Sequence, residues 1–426
     1  FKNQRWTGAS IALLESADFN EQLEEFIDQA HRTSENVALK SHGLRSMADY
    51  SDYYHILSDV ISNELITRKV EKVLFFNVPH LTYDCVLYQC AKSMEIPTLI
   101  LTQSLFPDKF FSLTEIKNYG IFSKASTGEI YPIEKKSGLD LFYMKGIKQE
   151  REIAGKLNLI SFLNLVFFLI IKRPHKILNL FYIFGLIRDI NKIYRGLPKW
   201  RDPFARFFHE DSLAYFDQLT KFEDQEIDLN EDFVYFPLQM QPEMTTSALG
   251  GNFRDQAYAI ERIASILPTG VKIYVKENPK QGAYMRGPLF FHRLKRIEAV
   301  KFLPSWADTH ELTKACKFVA TITGTVGWEA ICQGKPVLVF GNAWYRNLEG
   351  VYEWSDELTF EKISESLIDH DRLEHNVGSL LSNTHIGVVD RHYQILVDNF
   401  DDHKNDIKVA KTVINLINGK EEPTFI

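Results

Sequence analysis

Between Phe318 and Gly341 the chain carries a pattern that few folds can satisfy. Phe318-Val319-Ala320-Thr321-Ile322 is an apolar run, Thr323-Gly324-Thr325 a turn of small residues, residues 325–333 a helix-forming stretch, and Pro336 to Phe340 a second apolar run. Neither run alternates with polar residues. A strand without alternation is covered on both faces, and parallel neighbours need a crossover of the kind that lies between these two. The stretch predicts a strand–helix–strand unit of a parallel sheet.

The same rhythm recurs. Lys72 to Asn77 reads as a strand, a helix begins near Asp84 as its N-cap, and Pro97 to Leu101 reads as the next strand, forming a βαβ unit. Further strands are expected at 233–238 and 271–276, and helices at 19–31, 50–68, 253–267, 307–315, 359–370, 387–400 and 404–418. No internal repeat or low-complexity segment interrupts them. A chain of 426 residues is too long for one ordinary core. The expected architecture is α/β: two facing doubly wound, Rossmann-like domains, with a helical insertion in the first and C-terminal helices crossing back. The expected units are 1–228 with an insertion at about 150–205, then 229–388, then helices in 389–426 packing on the first domain. The acidic stretch Glu223 to Asp232 reads as a solvated linker. The chain starts at Phe1 without a Met, so residues including an early strand are expected to precede it.

A net charge of −7 argues against nucleic acid as a partner. Cys85, Cys90, Cys316 and Cys332 lack zinc-site spacing and suit free thiols in a reducing cytoplasm. Asp401-Asp402 fits a solvated helix cap, so no metal and no cofactor are expected. Residues 157–201 stand apart. An apolar stretch too short to span a bilayer comfortably precedes Lys172, Arg173, Lys176, Arg188, Lys192, Arg195, Lys199 and Arg201. That composition suits either an interfacial helix on an anionic membrane or an insertion packed on its own domain.

In doubly wound sheets ligands bind outside the carboxyl ends of the strands, and four polar groups fall there. At Thr323, Gly324 and Thr325, hydroxyls and backbone N–H groups at a helix start favour an anion. Glu329, one turn on, suits ribose hydroxyls. Lys276, Asn278 and Lys280 offer cations and a carboxamide; Gln241 and Glu243 lie in a loop to which Gly250-Gly251 is expected to give mobility. Together these read as a nucleotide-sugar donor site. His80 and Asp84, after the first strand, are the candidates for proton transfer and for nucleophile or base; capping is the structural alternative for Asp84.

The motifs resemble the capsule polysaccharide biosynthesis protein family, bacterial enzymes related to the capsule Kdo transferases. The resemblance is carried by Phe75-Phe76-Asn77-Val78-Pro79-His80 with Asp84, Tyr235-Phe236-Pro237-Leu238-Gln239 with Gln241-Pro242-Glu243, Val275 to Gln281, the Thr323–Ala330 turn, and Phe340-Gly341 with Trp344-Tyr345. It implies a metal-independent GT-B glycosyltransferase of capsule or surface polysaccharide synthesis, using a CMP-activated Kdo or related nonulosonic acid. The acceptor would be a glycan or lipid-linked glycan at the cytoplasmic face of the inner membrane. Asn278-Pro279 stands where related CMP-sugar transferases carry His-Pro. Asp84 would attack the anomeric carbon in a retaining reaction or act as base in an inverting one. The alternatives are a UDP-sugar transferase or epimerase of the same fold, and a non-catalytic glycan-binding or assembly protein.

Overall fold

The computed structural model describes residues 5–38, 46–124, 129–133, 179–182, 184–185, 227–278, 286, 288–304 and 307–426. Its strands, in chain order, are β1 (Val73–Phe75), β2 (Thr98–Gln103), β3 (Lys109–Leu113), β4 (Phe233–Pro237), β5 (Lys272–Lys276), β6 (Val300–Leu303), β7 (Val319–Thr321), β8 (Val337–Val339), β9 (Val351–Glu353) and β10 (His385–Ile386). They form two sheets.

The second sheet has the order β6-β5-β4-β7-β8-β9, parallel throughout. The chain enters at the middle, winds outward on one side and then on the other, as expected of a doubly wound sheet. Side chains of each strand alternate between two cores, so both faces are covered. Phe233, Tyr235, Tyr274, Val319 and Val337 enter one. Val234, Phe236, Ile273, Val275, Ala320 and Leu338 enter the other, under the Gln256–Ala264 and Pro288–Lys295 helices. Burying one such side chain contributes about 1.5–3 kcal/mol, which is why β4, β5, β7 and β8 carry their polar groups at their ends and the interior Lys301 falls on the edge strand β6.

The first sheet, β1-β2-β3-β10, differs from expectation in being mixed. β1 and β2 are parallel around the Thr82–Ser93 helix, so the βαβ unit is present. β2 and β3 are antiparallel because a Ser104–Asp108 link is too short for a crossover. Ser104 Oγ accepts the Phe106 N–H at 3.2 Å, and Asp108 takes a φ of 53°. β10 then pairs antiparallel with β3.

Two contacts bring distant chain together. Rings of Phe106, Trp328 and Trp344 meet at centroid distances of 5.1 to 6.2 Å, joining the β2–β3 link to the helix after β7. The C-terminal Asp402–Ile417 helix packs Val409 against Leu99, Leu101 and Phe110 of the first sheet. Beyond it the Phe425 N–H donates to the Ser112 carbonyl at 3.0 Å, and Phe425 is fully buried.

Several local expectations change. Residues 387–400 hold a 3-10 turn at Arg391–Leu396 rather than a long helix. The helix expected at 359–370 is the shorter Phe360–Ser364, and a separate His370–Ser382 helix starts where Asp369 accepts the Arg372 N–H. Residues 223–226 of the expected linker lie outside the described residues; beyond them Asp228, Leu229, Asn230 and Asp232 are solvent-exposed as expected, but the segment is tied down, with the Tyr274 hydroxyl within hydrogen-bond reach of the Asp228 carbonyl and the Glu231 carboxylate, and Lys301 reaching Glu231 at 3.1 Å. Asp401 is the cap expected of it, accepting the Lys404 N–H at 3.0 Å. All four cysteines are buried free thiols. The basic residues of 157–201 lie outside the described residues, and no described helix is long and apolar enough to cross a membrane.

Candidate functional site

The direction of winding reverses between β4 and β7, so the loops leaving these strands part and open a crevice at their carboxyl ends. Gln239, two residues beyond β4, spans it. Its Oε1 accepts the Thr323 N–H at 2.9 Å and the Thr321 hydroxyl at 3.2 Å. Its backbone is held as firmly. The Gln239 N–H donates to Gln256 Oε1 at 2.8 Å, and its carbonyl accepts from Gln256 Nε2 at 3.0 Å and Arg286 Nη2 at 2.6 Å.

Thr323, Gly324, Thr325 and Glu329 all lie at this crevice, but the structure divides their tasks. The Thr323 N–H is taken by Gln239, and its hydroxyl donates to the Thr245 carbonyl. Gly324 caps the Thr325–Cys332 helix, and its N–H donates to Thr321 Oγ1 at 3.2 Å. Thr325 opens the first turn. Glu329 follows one turn on, and burial pushes its carboxyl up to about 7. Its Oε2 lies 4.0 Å from Nδ1 of His310, which stands in the Thr309–Ala315 helix after β6.

Lys276 closes the same edge from β5, with Nζ donating to Thr309 Oγ1 at 2.8 Å. Next to it Glu277 is buried against Arg286, whose Nη2 and Nε reach its two oxygens at 2.8 and 3.0 Å. Burial raises the Glu277 carboxyl, and the Arg286 charge opposes that rise. The Asn278 N–H donates to Glu277 Oε1 at 2.7 Å. Lys280 lies outside the described residues.

Gln241 and Glu243 stand in a loop more ordered than expected. Gln241 precedes a cis Pro242, accepts from Gln256 Nε2 at 3.2 Å, and donates to both oxygens of Asp28 at 3.3 and 3.4 Å. Glu243 accepts the Thr245 hydroxyl at 3.0 Å and precedes a π turn at Met244–Ala248. Gly250 serves close packing here, not mobility: a Cβ would stand 2.2 Å from the Thr246 carbonyl oxygen.

His80 and Asp84 lie after β1 in the first half. The helix starts at Thr82, so Asp84 is a first-turn residue and not the N-cap. Its Oδ1 accepts the Leu81 N–H at 2.6 Å, and burial raises its pKa against the pull of that bond and of His80. His80 Nδ1 lies 2.7 Å from the Val78 carbonyl, which fixes Nδ1 as the protonated nitrogen and turns Nε2 outward from that bond. Among the described residues no hydrogen bond joins this pair to the Thr323–Glu329 turn. The Phe19–Ala38 helix links the two regions instead. It packs on the Thr82–Ser93 helix and, through Asp28 and through Glu24 to Arg254 at 3.1 Å, on the Gln241–Arg254 loop.

Sequence reading missed Gln256, Arg286, His310 and Asp28 as parts of this network. None sits in a motif; each arrives from another element by tertiary packing. Gln239 was visible as the polar residue ending a strand, the same signal that singled out Lys276.

Fold and crevice define an α/β protein of the nucleotide-fold type with a switch-point site. More particularly, residues 211–367 match the capsule polysaccharide biosynthesis protein family, which bears out the resemblance carried by the motifs. No curated protein matches the chain. Among solved structures, Thermosulfurimonas dismutans KpsC beta Kdo 2,7 transferase is similar at 10% identity and a TM-score of 0.35, covering 85% of this chain and 89% of that one. The KpsC beta Kdo 2,4 transferase of the same organism is similar at 15% identity and a TM-score of 0.30, covering 70% and 76%. Anabaena Alr3699/HepE, in complex with UDP and glucose, is similar at 18% identity and a TM-score of 0.24, covering 48% and 53%.

Proposed function

We propose that the chain is a GT-B glycosyltransferase of capsule or surface polysaccharide synthesis. It transfers Kdo or a related nonulosonic acid from its CMP-activated form to a glycan or lipid-linked acceptor. The observation that carries this reading is the switch-point crevice of the second sheet, which lies inside the segment matching the capsule family. Polar side chains from the ends of β4, β5 and β7 and from the segment after β6 meet there.

In this reading the first turn of the Thr325–Cys332 helix faces the donor phosphate, and Lys276 and Lys280 add positive charge. Glu329 accepts the ribose hydroxyls. Gln241, Glu243 and Asn278 line the donor's sugar and base. Asp84 approaches the anomeric carbon from the first half, and His80 Nε2 moves a proton. The basic 157–201 segment holds the enzyme at an anionic inner-membrane surface, where a lipid-linked acceptor resides.

The test is CMP release from CMP-Kdo and a CMP-nonulosonate in the presence of acceptor. Release that is lost in Asp84→Asn, with CMP binding retained, supports the assignment. No release with either donor sinks it. A thermal shift with UDP and none with CMP would move the protein to the UDP-sugar enzymes. Turnover unchanged in Asp84→Asn would remove the catalytic role of that carboxylate. Flotation with anionic liposomes that survives neutralising Lys172, Arg173 and Lys176 would reject the membrane role.

A further inference from the structure

We propose that the Gln239 carboxamide is the residue that distinguishes a phosphorylated from an unphosphorylated ligand at the switch point, its Nε2 donating to the nucleotide's phosphate. This deepens the donor-site reading and rests on it. A glutamine side chain ordinarily turns over freely, because its oxygen and nitrogen ends differ little in shape. Here it cannot. Oε1 accepts two hydrogen bonds, from the Thr323 N–H and the Thr321 hydroxyl, and a flipped amide would set NH2 against the N–H donor. The main chain beneath is clamped by Gln256 on both its N–H and its carbonyl, and by Arg286 on the carbonyl. The orientation of Nε2 is therefore settled before any ligand arrives.

Its position follows from Gly324. A Cβ on that residue would lie 3.4 Å from Gln239 Nε2, 3.3 Å from its Cδ and 2.8 Å from Thr321 Oγ1. The NH2 group thus sits beside the cap of the Thr325–Cys332 helix, on a partly buried side chain, and has no partner among the described residues. A neutral donor fixed next to a helix start adds a directed hydrogen bond to an anion whose charge the helix start and the lysines meet in that reading. The Thr323 N–H and hydroxyl, by contrast, are already used internally. The carboxamide stands in for them.

The experiment compares nucleotide and nucleoside binding in Gln239→Glu. That change keeps an oxygen for Thr323 and Thr321 and replaces the NH2 donor by a carboxylate oxygen. Affinity for CMP or UDP is expected to fall at least about ten-fold, with cytidine and uridine affinities unchanged and the melting temperature kept. Gly324→Ala is the second variant, whose Cβ presses on Thr321 Oγ1, one of the two groups that hold the amide, and crowds the amide itself without altering charge; it is expected to weaken the nucleotide selectively as well. Equal loss for nucleotide and nucleoside in both variants, or no loss for either, would overturn the role of Gln239. Wild-type protein that binds neither CMP nor UDP would instead remove the donor site on which the role rests.

Discussion

Glu277 and Glu329 are acids at the same edge of the parallel sheet, one just past β5 and the other one turn into the helix after β7. Burial raises the pKa of both. They differ in company. Glu277 is gripped on both oxygens by Arg286, which also holds the Gln239 carbonyl, so this pair builds the loop that positions the crevice. Among the described residues Glu329 has only His310 near it, at 4.0 Å, and none of them offsets its burial. A buried acid with a dedicated cation shapes a site. One without a cation suits a group that arrives from solution.

The largest effect that can break this contrast is Arg286→Met. It leaves Glu277 buried and uncompensated and should cost about 3–5 kcal/mol in urea unfolding, with much of the loss restored by adding Glu277→Met. A single mutant as stable as the wild type would make the pair incidental.

Glu329→Gln should behave in the opposite way. We expect about 10- to 100-fold lower kcat/KM for the donor and no loss of stability at neutral pH. The sign with pH is specific. The folded carboxyl titrates near 7 against an ordinary 4.5, so its contribution to stability is complete below 4.5 and fades as pH rises through 7. Wild type should therefore lose stability relative to Glu329→Gln across that window. A difference between the two that does not vary with pH would refute the shifted carboxyl.

Smaller effects sharpen the comparison. Gln241→Ala removes the tie from Asp28 and Gln256 to the crevice loop, and a loss of about 1–2 kcal/mol is expected; an unchanged unfolding midpoint would mean that Asp28 holds the loop without it. Asp401→Ala tests an exposed acid that neither shapes a crevice nor awaits a ligand. The cap on the Lys404 N–H and the exposed ion pair with Lys404 Nζ go together, so a small drop in the unfolding midpoint is expected with donor kinetics unaltered.

What the sequence disclosed follows the same division. The centre of the second sheet was readable because β4, β5, β7 and β8 are contiguous apolar runs whose helices lie between them in the chain; the edge strands β6 and β9, short and carrying Lys301 and Glu353, were not. Its polar strand ends at Lys276 and Thr323 were readable for the same reason. The first sheet was only half visible. β3 looks like part of a loop until β2 supplies a partner, and β10 is two residues long and gains its strand character only by pairing with β3. Within the site, Arg286 and Gln256 act on Gln239 across gaps of dozens of residues or fewer, with no spacing rule to announce them. Asp84 was recognised as an acid at a helix start, but its exact register depends on where the Leu81 N–H turns back, which composition does not encode.

The tail that returns through Phe425 to Ser112 has a bearing on biosynthesis. Strands β4 to β9 are translated as one uninterrupted block, so that sheet can close while the ribosome is still working. The N-terminal sheet has been made long before, yet β10 and the buried Phe425 reach it only after β4 to β9 have been made. The earlier-made half is thus the later-finished one, inverting the usual order in which nascent domains mature.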